Sequence, residues 1–405
     1  MSKLEQLINE LCPDGVEYAK IKDTFQRLKG TPITAGKMKE IASDDGEIRV
    51  FAGGKTVINA KEDDIPDANI TRVPAVLVQS RGVIDAVYFE DPFTFKNEMW
   101  AYTTEEKTTV KYLYYVLKNN IQYFRDSASG MGSLPQISLP VTEEFKIPLP
   151  PLPVQEEIVR ILDNFTELTA ELTAELTARK QQYEYYRDEL LIFGKDVPRV
   201  PLNDAIISLN TGLNPRRFFK LNTDDATNYY ITIREIRGGK IVPTDKTDRM
   251  NDEGLRLCNN RSNLEAGDVL FSGTGTIGET AVIEKTPTNW NIKEGVYAIK
   301  PNPQKLRSHF LRYLLMSTFM RGTYMKKVAG GTVKSIPMAE MKKLLIPLPT
   351  LENQDQLIAL LERFDKLCND ISEGLPAEIK AREQQYEYYR DKLLTFKEKE
   401  ACANE

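Results

Sequence analysis

Histidine is nearly absent: His309 is the only one in 405 residues. A Ser-His-Asp triad or a His-rich metal centre would have to rest on that side chain. Its setting, Arg307-Ser-His-Phe-Leu, reads instead as a helix start. Cysteine is sparse as well. Cys12, Cys258, Cys368 and Cys402 include no pair at Cys-x-x-Cys spacing, so four reduced thiols are expected. No apolar run approaches the ~20 residues that a membrane helix needs. The opening stretch carries Glu5 and Glu10 without an apolar core, unlike a signal peptide, and a cytoplasmic location is expected.

The composition is that of an ordinary globular protein, 41% hydrophobic and 28% charged, and the length suggests two or three domains. The net charge of −5 is unevenly spread. Residues 1–145 carry −5, residues 146–195 carry −3, residues 196–346 carry +8 and residues 347–405 carry −5. One large segment is therefore basic enough to neutralise phosphates, while the first is acidic.

The dominant feature is a long-period duplication. Residues 178–193, ARKQQYEYYRDELLIF, match residues 381–396, AREQQYEYYRDKLLTF, at thirteen of sixteen positions. Upstream, KIPLPPLPVQEEIVRILDNF (146–165) parallels LIPLPTLENQDQLIALLERF (345–364). A fainter echo relates the segment beginning at Val16 to that beginning at Val197. The chain thus reads globular–helix–globular–helix.

Each helical segment opens on a proline-rich, extended lead-in that cannot itself be helix. Glu156 and Glu157 then suit a first turn. Ile158, Ile161, Leu162, Phe165, Leu168, Leu172, Leu176, Tyr183, Tyr186, Leu190 and Phe193 come next, in steps of three and four apart from one adjacent pair and one step of seven, which is one apolar seam. The spacing predicts an unbroken helix over 154–193, about 60 Å long. Gly374 and Pro376 should divide the second copy into helices over 353–373 and 377–397. Single-stripe helices of this kind are unstable alone. Either the two stripes face each other as an antiparallel coiled coil, or each packs on its own globular domain.

The upstream match has an offset of 199 and the downstream match one of 203, so the two copies differ in length by four residues, the second being the longer. In the first copy this region is a tetrapeptide tandem, Thr169-Ala-Glu-Leu172 and Thr173-Ala-Glu-Leu176. Four residues are about one helical turn, ~6 Å.

The repeats, the opening LEQLINELCPDGVEY and the Thr-Ala-Glu-Leu tandem together resemble the specificity subunit of Type I restriction–modification enzymes. The resemblance covers the whole chain and is strongest in the helices. It implies an α+β fold, with two mixed α/β target-recognition domains separated by two long antiparallel coiled-coil helices in a pseudo-two-fold internal repeat. The domains expected are 1–150, the central spacer 151–195, 196–350 and the C-terminal spacer 351–405. The function implied is recognition of a bipartite, gapped DNA site, with the helices scaffolding two methyltransferase subunits and motor-nuclease subunits joining them. Leu168, Leu172 and Leu176 would belong to a spacer that sets the gap. The chain is expected to be non-catalytic and to need no cofactor, S-adenosylmethionine being expected on the methyltransferase partners. An Asn/Asp-Pro-Pro-Tyr/Phe element, which related adenine methyltransferases carry, is missing: Asn214-Pro215 and Asn302-Pro303 each have one proline.

One motif misleads. Gly273-x-Gly275-x-x-Gly278 after Asp268-Val-Leu-Phe is formally a dinucleotide fingerprint. The residues beyond it, Ala281-Val-Ile and then Thr286-Pro287, predict a strand and a break rather than a phosphate-binding helix. A tight turn between two strands fits better, and residues 76–88 occupy the similar place in the first domain.

Side chains able to read bases or hold phosphates are Arg, Lys, Asn and Gln near Gly-rich loops. In the first domain these are Gly53, Gly54, Lys55, Gln79, Ser80 and Arg81. Ser129-Gly130-Met-Gly-Ser133 occupies the place matching the Gly330–Lys334 stretch of the second domain, with Gly130 and Ser133 as candidates. The second offers Asn214, Arg216, Arg217, Lys220, Arg234, Arg237, Lys240, Lys326, Lys327 and Lys334. A coiled-coil assembly protein with two ligand-binding heads and no DNA is the rival expectation.

Overall fold

The computed structural model describes residues 2–54, 56–130, 134–331, 333–369 and 374–400. The chain divides into two compact units, Met1–Glu171 with Ala381–Glu405, and Leu172–Lys380. Each unit holds one globular segment and a part of both helical segments.

Unit 1 is built on an antiparallel sheet in the spatial order Gln26–Lys29, Trp100–Thr103, Ala75–Gln79, Asp85–Phe89. Strand geometry sends alternate side chains to opposite faces. Val76, Val78, Trp100 and Tyr102 therefore enter one core, under the helix Lys107–Asn119. Ala75, Leu77 and Ala101 enter another, with Phe51, Phe93 and Phe95. Because both faces are covered, all five residues of Ala75–Gln79 are buried. A second sheet runs Val57–Ala60, Ile48–Phe51, Phe93–Phe95, and its last pair is parallel. A ribbon of Glu17–Lys20 with Lys146–Leu149 joins the start of the domain to its end.

Unit 2 repeats this plan. Its four-stranded sheet runs Ile206–Thr211, Val296–Pro301, Val269–Ser272, Thr280–Val282. Val269 and Phe271 face the core under the helix Ser308–Met316, while Leu270 and Ala281 face the other side. The three-stranded sheet is Arg249–Met250, Asn228–Ile231, Trp290–Ile292, again with a parallel last pair. The ribbon is Arg199–Pro201 with Leu345–Pro347. The fold is therefore α+β with an internal repeat, as expected, and the two ribbons account for the echo between Val16 and Val197.

The first spacer is one helix, Leu152–Leu190. It starts two residues earlier than expected. Pro153 lies inside the first turn, where its missing N–H would have had no partner in any case. Glu156 and Glu157 consequently sit one turn further in. Glu157 is buried and accepts hydrogen bonds from Arg160, 2.6 Å and 3.0 Å, and Lys3, 3.0 Å. These two cations hold its carboxyl down at about 2. The second spacer gives two helices, Leu351–Asn369 and Leu375–Leu393. Pro376 falls in the first turn of the latter for the same reason.

Each spacer stripe does both things that the sequence left open. In unit 1, Val154, Ile158 and Leu162 enter the globular core, and Phe165 stacks on Tyr389 with ring centres 5.6 Å apart. In unit 2, Leu361 and Tyr183 enter the core, and Phe364 stacks on Tyr186 at 5.9 Å. Phe165 with Tyr389 and Phe364 with Tyr186 are equivalent pairs under the duplication. In each unit an early segment of one spacer meets a late segment of the other, the pairing of antiparallel coiled-coil helices.

No helix among the described residues is long and apolar enough to cross a membrane. Cys12, Cys258 and Cys368 are free and buried, and burial raises each thiol's pKa, that of Cys258 to about 11. Cys402 lies outside the described residues. His309 is the second residue of the helix Ser308–Met316, with Nδ1 3.5 Å from Glu362.

Candidate nucleic-acid interface

In each unit the turn at one end of the four-stranded sheet is clamped by two further loops. In unit 1, the turn between Ala75–Gln79 and Asp85–Phe89 contains Ser80-Arg81-Gly82. The Gly82 N–H donates to the Pro135 carbonyl, 2.8 Å, and the Ile137 N–H to the Ser80 carbonyl, 3.0 Å. Arg81 bridges to Gln136, which also pairs with Ser129. Thr31 bridges to Lys96 on a third side.

Unit 2 reproduces this frame with other residues. The Gly275 N–H donates to the Lys334 carbonyl, 2.9 Å, and the Ile336 N–H to the Gly273 carbonyl, 2.9 Å. Thr274 bridges to Ser335, Ala329 to Ser335, and Leu213 to Lys293. Gly82 and Gly275 share φ near +80°, and Gly130 and Gly330 lie at +108° and +111°. These left-handed positions tolerate glycine at least cost. The frame makes Ser80, Arg81, Gly82 and Gln136 equivalent to Gly273, Thr274, Gly275 and Ser335. It thereby confirms the match between the two strand–turn–strand stretches, and the glycine run of 273–278 is a turn leading into the strand Thr280–Val282.

The candidate residues divide by their surroundings. In unit 1, Gly53 and Gly54 form the turn of the hairpin Ile48–Phe51/Val57–Ala60. The Gly54 N–H reaches the Arg81 carbonyl at 3.2 Å, and Gln79 Nε2 donates to the Gly54 carbonyl at 3.2 Å. Ser80 is fully buried, with Oγ donating to the Glu98 carbonyl at 2.5 Å. Gln79 and Ser80 therefore hold the loops together and do not face outward. Arg81 and Gly130 are exposed. Lys55 and Ser133 lie outside the described residues.

In unit 2, Asn214 caps the short turn Pro215–Arg217, its Oδ1 accepting the Arg216 N–H at 3.2 Å. Arg216, Phe218 and Lys220 are exposed, and Phe219 anchors the loop edge-on against Tyr230. The Arg217 side chain lies outside the described atoms. Lys326 and Lys334 are exposed, while Lys327 pairs with Glu340 at 3.4 Å. Arg234 is drawn to Asp248, 2.8 Å. Arg237 and Lys240 flank a two-residue hairpin turn, Gly238-Gly239. That turn packs on Arg312 and hydrogen-bonds Val282, towards the other end of the strand from the clamped turn. These two cations are thus not brought together with Lys334.

The sequence reading missed Lys96 and Lys293, which occupy equivalent places beside the clamped turns. Each comes directly after a strand, Phe93–Phe95 or Trp290–Ile292, and that spacing was the available signal. It also missed Lys39, exposed on the helix Ala35–Ile41, which shares a cavity with Arg81, Lys96 and Glu98. Several carboxylates of unit 1 are paired away from the clamped turn. Glu144 takes Lys20 and Lys22, Asp163 takes Lys111, and Asp85 takes Lys118. None of these pairs involves the residues of the clamped turn.

Two clamped, cation-bearing platforms on a duplicated fold define a protein that repeats one backbone frame with dissimilar side chains upon it. The chain belongs to the Type I restriction modification DNA specificity domain family, whose model matches it twice, at residues 13–179 and 211–381. Its function is DNA recognition in a Type I restriction–modification system. It is 32% identical over 311 residues to the Type I restriction enzyme EcoR124I/EcoR124II specificity subunit of Escherichia coli, covering 74% of each chain. It is 29% identical to a putative Type I restriction enzyme specificity subunit of Haemophilus influenzae, over 75% of this chain and 77% of the relative. Its fold matches the Type I restriction–modification S subunit of M. genitalium, with a TM-score of 0.56 at 14% identity, over 94% of this chain and 96% of that one.

Proposed function

We propose that each unit reads one half of a bipartite, gapped DNA site through its clamped platform, and that the helical spacers set the gap. Arg81, Lys39 and Lys96 would meet DNA in unit 1. Arg216, Lys220, Lys293, Lys326 and Lys334 would do so in unit 2, with Arg237 and Lys240 on a flank. Backbone groups at Gly53, Gly54 and Gly130 allow close approach, whereas Gln79 and Ser80 act by holding Arg81 in place. Lysines at the rim favour phosphate; arginine suits base edges.

The chain itself carries out no chemistry in this reading. It needs no cofactor, and S-adenosylmethionine belongs to the methyltransferase subunits, two of which would dock on the duplicated helices. Motor-nuclease subunits complete the restriction complex. The observation that carries the reading is the duplicated hydrogen-bond frame with dissimilar side chains on it: constant support, variable readout. Mapping DNA methylation in cells that produce this chain with its methyltransferase partner tests it. A gapped, two-part motif is expected, lost when this chain is omitted.

A further inference from the structure

We infer that Arg81 is a specificity-determining residue that reads a guanine in the half-site of unit 1, and that the half-site of unit 2 lacks the corresponding arginine–guanine contact. The inference rests on the DNA-recognition reading above.

The backbone of Arg81 is held on three sides. Its carbonyl accepts the Gly54 N–H at 3.2 Å, it bridges to Gln136, and the next residue donates to Pro135 at 2.8 Å. The residue before it is buried through the Ser80 Oγ bond to Glu98. The exposed side chain therefore leaves from a fixed Cα, which lowers the ordering cost of docking it. Among the described residues its guanidinium has no hydrogen-bond or ion-pair partner. Glu98, the carboxylate lining the same cavity, is already engaged by Lys96 at 2.9 Å. Arginine presents a rigid planar fork whose two N–H groups match guanine O6 and N7, whereas a lysine ammonium is a point charge on a flexible stem without that fixed geometry. A non-specific phosphate contact would need neither the fork nor the clamp; Lys39, exposed on the helix Ala35–Ile41, supplies that charge nearby.

Unit 2 preserves the frame around the equivalent position and places Thr274 there. Threonine is too short for a bidentate contact with guanine and gives only a single hydroxyl. Two halves of one target are thus read differently from one geometric position.

The full chain is produced with its methyltransferase subunits and genomic methylation is mapped for the parent, Arg81→Ala and Arg81→Lys. Both variants are expected to keep the gap and one half-site intact. In the other half-site one guanine position should become degenerate, its discrimination falling about 10- to 100-fold. Arg81→Lys keeps the charge and most of the stem, so persistent methylation with relaxed sequence separates lost reading from lost folding. Full stringency in Arg81→Lys, or an even drop in methylation over all sites with both half-sites unchanged, overturns the inference and leaves the broader reading standing. Absence of any two-part motif with the parent chain overturns both.

Discussion

Insertion of a third Thr-Ala-Glu-Leu after Leu176 tests the spacer as a ruler. The tandem lies inside the continuous helix Leu152–Leu190, and the boundary between the two compact units, 171/172, falls within it. Leu168, Leu172 and Leu176 are all half-buried, so an inserted leucine continues the same stripe while the added threonine, alanine and glutamate fall on more exposed positions. The added residues are acceptable in a helix and cost little there. Four residues lengthen the helix by ~6 Å and turn it by about 40° beyond one full turn. At ~3.4 Å of duplex rise per base pair, the gap between half-sites should widen by about two base pairs while both half-sites keep their sequence. Removal of Thr173–Leu176 should narrow it by a similar amount. Methylation mapping reads both outcomes directly. An unchanged gap in a variant that still methylates, or altered half-sites with the gap intact, refutes the ruler.

Other perturbations address the frame and its charges. Arg312 is buried and pairs with Asp365 at 2.8 Å; Arg312→Ala removes one side of this largely buried pair and should destabilise unit 2 by about 3–5 kcal/mol in urea unfolding. Gly30 and Gly212 occupy equivalent positions where an added Cβ would lie 2.4 Å and 1.9 Å from the Phe95 and Ile292 carbonyl oxygens. Alanine at either should cost about 1–3 kcal/mol and loosen its platform, visible as faster amide exchange at Lys96 or Lys293. Glu157, held at about 2 by Arg160 and Lys3, contributes stability that is present above the ordinary carboxylate range and lost as pH falls from about 4.5 towards 2. The parent should therefore lose more of its melting temperature over that window than Glu157→Gln. Finally, Lys326→Ala in the assembled complex should weaken duplex binding evenly across sequences and reduce the log–log salt slope by about 1.

Local patterns were legible where the physics is local. The apolar run of Asp268-Val-Leu-Phe and its counterpart within 76–88 read as strands leading into a turn, because a short apolar run bounded by turn residues is recognised from neighbours along the chain alone. The apolar seam marked the helix Leu152–Leu190, which starts two residues earlier than expected, through proline's tolerance of a first turn, and ends three residues earlier. The duplication fixed the architecture, since near-identical segments must fold alike.

Chain order could not decide which loops meet. Gln79 and Ser80 looked like readers because they flank Arg81, yet their side chains turn inward to tie loops more than fifteen residues away. Arg237 and Lys240 stood beside Lys334 among the candidate contacts, yet their hairpin packs at the other end of the strand. The closure of residues 397–399 on Val16, with hydrogen bonds of 2.9 Å in each direction, is likewise invisible along the chain. Each of these depends on hydrogen bonds between residues far apart in sequence, which folding alone brings within reach. The repeat, the helices and the family are encoded in residue order and could be read from it directly; the clamped platform of each unit was decided by packing.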